Sequence, residues 1–203
     1  MSRPLRLDRP ENPASLHQRA MDDLRFIRKT MERSGSFTAV PGWGGVGIGA
    51  VALPAAWIAS QQPTPERWLA VWLVTAVLAA GIAAATLMIK SRRFGAPLAT
   101  GPGRKFLMSF LPPVGAAVAL TVALFPHAPL EVLPGLWMLC YGAAVISAGT
   151  FSVGAVPLMG IGFMWIGTLA LATPAAWADA WMALGFGGLH LGFGALIARR
   201  HGG

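Results

Sequence analysis

Polar and apolar positions along the chain fall into long blocks instead of alternating. After a mixed stretch of 42 residues come six nearly uninterrupted apolar runs, at about 43–60, 68–89, 106–125, 133–152, 155–173 and 177–198. A helix rising about 1.5 Å per residue needs about 20 apolar residues to cross a hydrocarbon core of roughly 30 Å, and each run comes close to that length. Strands of a membrane barrel would alternate apolar with polar at every second position, which these runs do not. The pattern predicts an all-α, polytopic membrane protein with six transmembrane helices. Between the fourth and fifth runs, Gly149, Gly154 and Pro157 mark a turn within the headgroup layer, with one long bent segment as the alternative.

The mixed stretch in front predicts one more helix. Pro10 and Pro13 keep the extreme terminus extended, and Ser15 with Gln18 has the spacing of a capping box. Leu16, Ala20, Leu24, Ile27 and Met31 then share one face, with Arg19, Asp22, Arg25, Arg28, Lys29 and Arg33 around the remainder. Such an amphipathic helix lies along the cytoplasmic headgroups, packs on a partner, or presents a solvated charged face over the loops. The expected organisation is a cytoplasmic N-terminal segment at 1–42, a six-helix bundle at 43–198 and a short cytoplasmic tail at 199–203.

Composition agrees with the pattern. Of 203 residues, 55% are hydrophobic and 12% charged, with a mean hydropathy of +0.58. Soluble domains carry about a quarter charged residues, so this chain lacks the polar surface that water demands. Cys140 is the sole cysteine, which excludes a disulfide scaffold within the chain.

The net charge of +8 resembles a nucleic-acid footprint until its placement is considered. Fifteen of the 16 Lys and Arg lie in three places: residues 1–42, residues 90–105, and Arg199 with Arg200. Six crossings put these three places on one side, opposite short turns near residues 60–67, 126–131 and 173–179. By the positive-inside rule both termini are expected in the cytoplasm. Residues 1–42 hold no apolar core followed by a small-residue cleavage site, so the first run is expected to act as an uncleaved anchor. A bacterial inner membrane is the expected home, and lipid headgroups, not nucleic acid, are the expected anions for Arg92, Arg93, Arg104 and Lys105.

Few residues carry candidate chemistry. Gly42-Trp43-Gly44-Gly45-Val46-Gly47 matches GxGxxG, but no strand precedes it and an apolar run follows, so a dinucleotide site is rejected. Gly45 with Gly49, and Gly188 with Gly192, instead have the four-residue spacing of close helix packing in membranes. In the sixth run Gly187, His190 and Gly194 share a face, which points His190 into the bundle. His190 is the one ionisable His, Asp, Glu, Lys or Arg deep in any run, and such groups are expensive to keep in hydrocarbon. It is either a functional group or a neutral bridge between two helices. Tyr141 and Cys140, in the fourth run, are its candidate companions.

One His and one Cys do not make a recognisable metal or haem set, so no cofactor and no metal is expected. A six-span chain with a histidine in its last span is similar in plan to the rhomboid serine proteases. Their Gly-x-Ser-Gly motif is missing, however, since Ser147 precedes Ala148 and Ser152 precedes Val153. A small transporter is the stronger rival: Pro54 and Pro112-Pro113 break the first and third runs, and His190 could couple to protons.

Two stretches, Met31-Glu32-Arg33-Ser34-Gly35-Ser36-Phe37-Thr38-Ala39-Val40-Pro41-Gly42-Trp43-Gly44-Gly45 and residues 185–203, resemble an uncharacterised family of small bacterial six-helix integral membrane proteins. That resemblance implies a bacterial membrane protein and brings no activity or catalytic residues with it. The expected function is a non-enzymatic inner-membrane protein: an accessory, sensory or partner-binding subunit, working with the lipid bilayer and with a membrane-protein partner or further copies of itself.

Overall fold

A computed structural model describes residues 17–19, 21–27, 37–95, 98–99, 101–125, 127 and 129–201. It is 86% helix, with no strand among the described residues. The chain divides into two compact units, Met1–Gly35 and Ser36–Gly203. In the first, residues 17–19 and 21–27 are helical and exposed, and Arg25 pairs with Asp22 at 3.3 Å. Leu16, Ala20 and Met31 of the expected apolar face lie outside the described residues, as do Ser15, Arg28, Lys29 and Arg33.

The second unit holds six apolar helices. We label them α1 (Gly42–Ser60), α2 (Pro65–Arg93), α3 (Gly101–Leu124), α4 (Leu133–Gly149), α5 (Ala155–Ala172) and α6 (Ala175–His201). All except α4 are long and apolar enough to cross a membrane; α4 has 17 residues and follows a 3-10 turn at Leu130–Val132. The chain is thus built as a multi-pass membrane protein. The fourth and fifth runs are separate helices, with the turn at 150–154.

Local chemistry sets the helix ends. Thr64 Oγ1 accepts from the Arg67 amide at the start of α2, with Pro65 and Glu66 in its first turn. Lys90, Arg92 and Arg93 lie in its last turn, where cations meet the negative end of the helix dipole. The link to α3 turns through left-handed Gly95 (φ +60°) and Gly101 (φ +55°). Neither Pro54 nor Pro112-Pro113 ends its helix: α1 and α3 run through them. The broken spans expected for a transporter are therefore continuous helices.

In space α2 packs on α1, α1 on α6, α6 on α5, α5 on α4, and α4 on α3. The α4–α5 contact is the most extensive, and glycine lines it. Gly135, Gly142 and Gly149 recur every seven residues along α4, and Gly160 and Gly167 do so along α5. A Cβ at Gly142 would come within 2.8 Å of the Gly160 carbonyl, and one at Gly160 within 2.8 Å of the Gly142 carbonyl. Gly135 and Gly167 oppose each other in the same way, at 2.8 and 2.9 Å. A seven-residue repeat keeps one seam facing the partner as the helices wrap around each other, and glycine lets the backbones meet.

A strap at residues 37–41, read from sequence as part of the cytoplasmic segment, is fastened under one end of the bundle. The Phe37 amide donates to the Phe151 carbonyl at 2.6 Å, and Ser152 Oγ donates to the Phe37 carbonyl at 2.8 Å. Phe37 is 2% exposed, against Phe106 and Ala148. Tryptophans gather at the other end. Trp68 stacks on Trp137 at 5.8 Å, and its indole donates to Asp179 at 2.8 Å. Trp137 donates in turn to Thr121 Oγ1 at 2.8 Å. Asp179, the lone carboxylate inside an apolar run, thus has a fixed partner.

Candidate functional site

The middle of α6 departs from the regular α-helix on which the sequence reading rested. Ala183–Leu189 is π-helical, and α-helix resumes at His190. Gly185, Gly187 and Gly188 lie in this stretch, where glycine tolerates the wider turn and presents bare backbone to neighbours. π-Helical turns are uncommon and recur at functional sites.

Directly after that stretch stands His190, 3% exposed. Its Nε2 lies 2.8 Å from Tyr141 Oη on α4. The phenol donates if the imidazole carries its proton on Nδ1, and accepts if the proton is on Nε2. Among the described residues Nδ1 is buried without a hydrogen-bond partner, and the Phe186 backbone, one turn earlier on the same helix, is the polar group next to the ring. In either tautomer at least Nδ1 stays unmatched by these residues, a cost of about 1–3 kcal/mol.

Aromatic rings surround the pair. Tyr141 meets Phe163 at 4.8 Å, Phe186 at 5.4 Å and Phe110 at 5.8 Å. His190 meets the edge of Phe163 at 5.3 Å and stacks on Phe186 at 6.2 Å. Four helices therefore contribute: Phe110 from α3, Tyr141 from α4, Phe163 from α5, and Phe186 with His190 from α6. These rings supply hydrocarbon walls and no nucleophile, acid or base. The pair can hold or exchange one proton, or offer one hydrogen bond at Nδ1.

Of the three residues singled out from sequence, His190 and Tyr141 meet, while Cys140 makes no hydrogen bond to either among the described residues. Among those residues no group of three His, Cys, Asp or Glu could hold a metal ion. The phenylalanines were not identified from sequence. For Phe186 the signal was present, four residues before His190 on one helix face; Phe110 and Phe163 look like any other apolar residue in their runs.

The glycine assignments divide. A Cβ at Gly45 would lie 3.1 Å from Gly194 Cα and 3.5 Å from the His190 carbonyl, and one at Gly49 would lie 2.7 Å from the Gly187 carbonyl. Gly45 and Gly49 therefore hold α1 against the backbone of the site. Among the described residues no neighbouring helix comes within 4 Å of a Cβ at Gly188 or Gly192. Nothing lies within 4 Å of a Cβ at Gly192, and at Gly188 only α6's own Leu184 and Ala183 do. Gly187 and Gly194, which share a face with His190, form the face that meets α1.

Arg92, Arg93, Arg104 and Lys105 are exposed at the end of the bundle that holds the strap. Lys90, from the same basic stretch, is not: it is 3% exposed, and its Nζ donates to the Val40 carbonyl at 3.0 Å and the His201 carbonyl at 3.1 Å. One ammonium thus ties the strap, α2 and the end of α6 together. Ser91 beside it is also buried.

No family model, curated protein or solved structure matches the chain.

Proposed function

We propose that this protein is a non-enzymatic accessory subunit of a bacterial inner membrane, in which the Tyr141–His190 pair is the sensing element. The carrying observation is the unmatched His190 Nδ1, buried beside the π-helical stretch and fastened through Nε2 to another helix. An unpaired polar atom at membrane depth is costly, and a partner that supplies a hydrogen bond at Nδ1 would relieve the cost and shift the packing of α3, α4, α5 and α6 together. Phenylalanine walls support binding or sensing over catalysis, since they offer the pair no reacting group.

The same proposal takes the helices as six crossings with both ends in the cytoplasm, as in the bacterial family that two stretches resemble. Helix α4, at about 25 Å, together with its 3-10 turn of about 6 Å, matches a hydrocarbon core of roughly 30 Å. Lys90, Arg92, Arg93, Arg104, Lys105, Arg199 and Arg200 crowd one end, while Glu66, Glu131 and Asp179 stand at the other. That asymmetry supports a cytoplasmic cationic end.

Tyr141 is the chain's single tyrosine, so the site has its own spectroscopic reporter. Protein carrying ¹³C-labelled tyrosine in lipid nanodiscs gives one phenol resonance. It should move in His190→Phe, and move in the wild type alone when a membrane protein co-purified in mild detergent is added back. A resonance indifferent to both rejects the sensing role. Proton or solute flux in liposomes that His190→Ala abolishes would replace this reading with the transporter.

A further inference from the structure

The cationic end carries a second inference, independent of the sensing role and resting only on the membrane-protein architecture. Three helix ends there each present a pair of adjacent cations: Arg92-Arg93 closing α2, Arg104-Lys105 opening α3, and Arg199-Arg200 closing α6. All six are exposed, and none forms an ion pair with a described carboxylate.

Buried bonds hold the three pairs in a fixed relation. The Lys90 ammonium joins α2 to the last residue of α6 through the His201 carbonyl, which brings the helix end that carries Arg92-Arg93 to the helix end that carries Arg199-Arg200. It also holds the strap at the Val40 carbonyl. Three residues back, Phe37 is bonded to Phe151 and Ser152, and Lys105 Nζ sits 5.6 Å above the Phe151 ring. Residues 37–40 thus run from the Lys90 bond to the Phe151 bond, a stretch of at most about 10 Å when extended, and link the end of α2 to the start of α3. The platform is organised before any anion arrives.

Apolar side chains are exposed within a turn of these cations. Ile89 and Phe94 flank Arg92-Arg93, and Met108 follows Arg104-Lys105. A free phosphate would use only the cations. A phospholipid would use both, with its headgroup on the arginines and its chains along Ile89 and Met108.

We infer that the strap end of the bundle is a binding site for an anionic phospholipid with two phosphates, one near Arg92, Arg93, Arg199 and Arg200 and the other near Arg104 and Lys105. Paired cations on a rigid platform favour a tethered diphosphate over two separate monophosphates, because the second contact is made within one molecule.

The test uses the full chain in a neutral detergent, with the thermal midpoint read from tryptophan fluorescence. Cardiolipin, phosphatidylglycerol at matched phosphate, and sodium pyrophosphate are titrated in parallel. Cardiolipin should raise the midpoint saturably, at a phosphate concentration roughly tenfold below that needed for phosphatidylglycerol. Pyrophosphate should leave it unchanged. The quadruple variant R92Q/R93Q/R199Q/R200Q removes exposed charges at two helix ends, so it should lower the lipid-free midpoint only slightly and lose the cardiolipin response; R104Q/K105Q should reduce cardiolipin to the level of phosphatidylglycerol. Equal responses to the two lipids, a response to pyrophosphate, no response at all, or a quadruple variant that responds in full would each overturn the inference. Failure here leaves the Tyr141 resonance test untouched, and the reverse holds too.

Discussion

Tyr141 and His190 depend on each other more than either depends on the rings around them. Truncating Tyr141 to Phe leaves both imidazole nitrogens unmatched and should destabilise the protein by about 1–3 kcal/mol. His190→Phe strands the phenol instead, at a similar cost. The double variant Y141F/H190F removes both polar partners from an aromatic surround, so its loss should fall below the sum of the single losses. Equilibrium unfolding in mixed micelles measures all three, and strict additivity would show that the 2.8 Å contact contributes nothing. Lys90→Met should cost about as much, because two carbonyls lose a charged donor. Lys90 also marks a limit of sequence reading: it sits in a basic stretch next to Arg92 and Arg93 and looks like another headgroup contact. Only the fold shows that the strap's Val40 and the end of α6 arrive beside it. His190 was legible because it stood alone in hydrocarbon-like sequence; Tyr141 and Cys140 were its candidate companions, but 49 residues separate His190 from Tyr141 and only the fold selects the phenol over the thiol.

At the scale of helices, glycine spacing is the strongest signal, and it has to be read at the right period. The four-residue spacing found Gly45 and Gly49, which meet the α6 backbone, but also drew attention to Gly188 and Gly192, whereas the α4–α5 backbone contacts follow the seven-residue repeat of Gly135, Gly142, Gly149, Gly160 and Gly167. That repeat is visible in the sequence once two adjacent apolar runs are compared in opposite directions. The π-helical stretch is not visible, because Ala183–Leu189 is composed of residues that an α-helix also accepts in a membrane. Two substitutions separate packing glycines from incidental ones. Gly142→Leu meets the Gly160 carbonyl and the Met164 backbone at 3.0 Å or less, and should destabilise by about 1–3 kcal/mol or prevent assembly. At Gly192 an added Cβ meets nothing within 4 Å, so Gly192→Leu should stay within about 0.5 kcal/mol of the parent. The melting temperatures of the two in one detergent check the assignment; equal losses would mean that α6 turns a different face to its neighbours.

The two ends of the whole molecule are chemically unlike, and that difference bears on how the chain is threaded. One end is cationic and fastened by buried bonds of Lys90 and Ser152; the other is closed by stacked indoles, with Asp179 and Thr121 taking the Trp68 and Trp137 donors. Hydropathy made the apolar helices legible because membrane insertion and that index respond to the same free energy of transfer. Threading also depends on whether α4, the 17-residue helix, crosses completely. If it does, both termini face one compartment, and residues 62 and 128 face the other. A Cys140→Ser background provides a chain without cysteine, into which single cysteines go at Ser2, Gln62, Ala99, Ala128 and Gly203. In intact spheroplasts a membrane-impermeant maleimide should label positions 62 and 128 only; after lysis it should label all five. Were α4 instead to dip and return on one side, α5 and α6 would reverse, and position 203 would react in intact cells while position 99 stayed protected. Arg199 and Arg200 would then face outward, away from Arg92 and Arg93, which the Lys90–His201 bond forbids while it holds. A Lys90→Met variant that kept the fold yet exposed position 203 would show that this bond, and not the bulk charge asymmetry, fixes the last two helices.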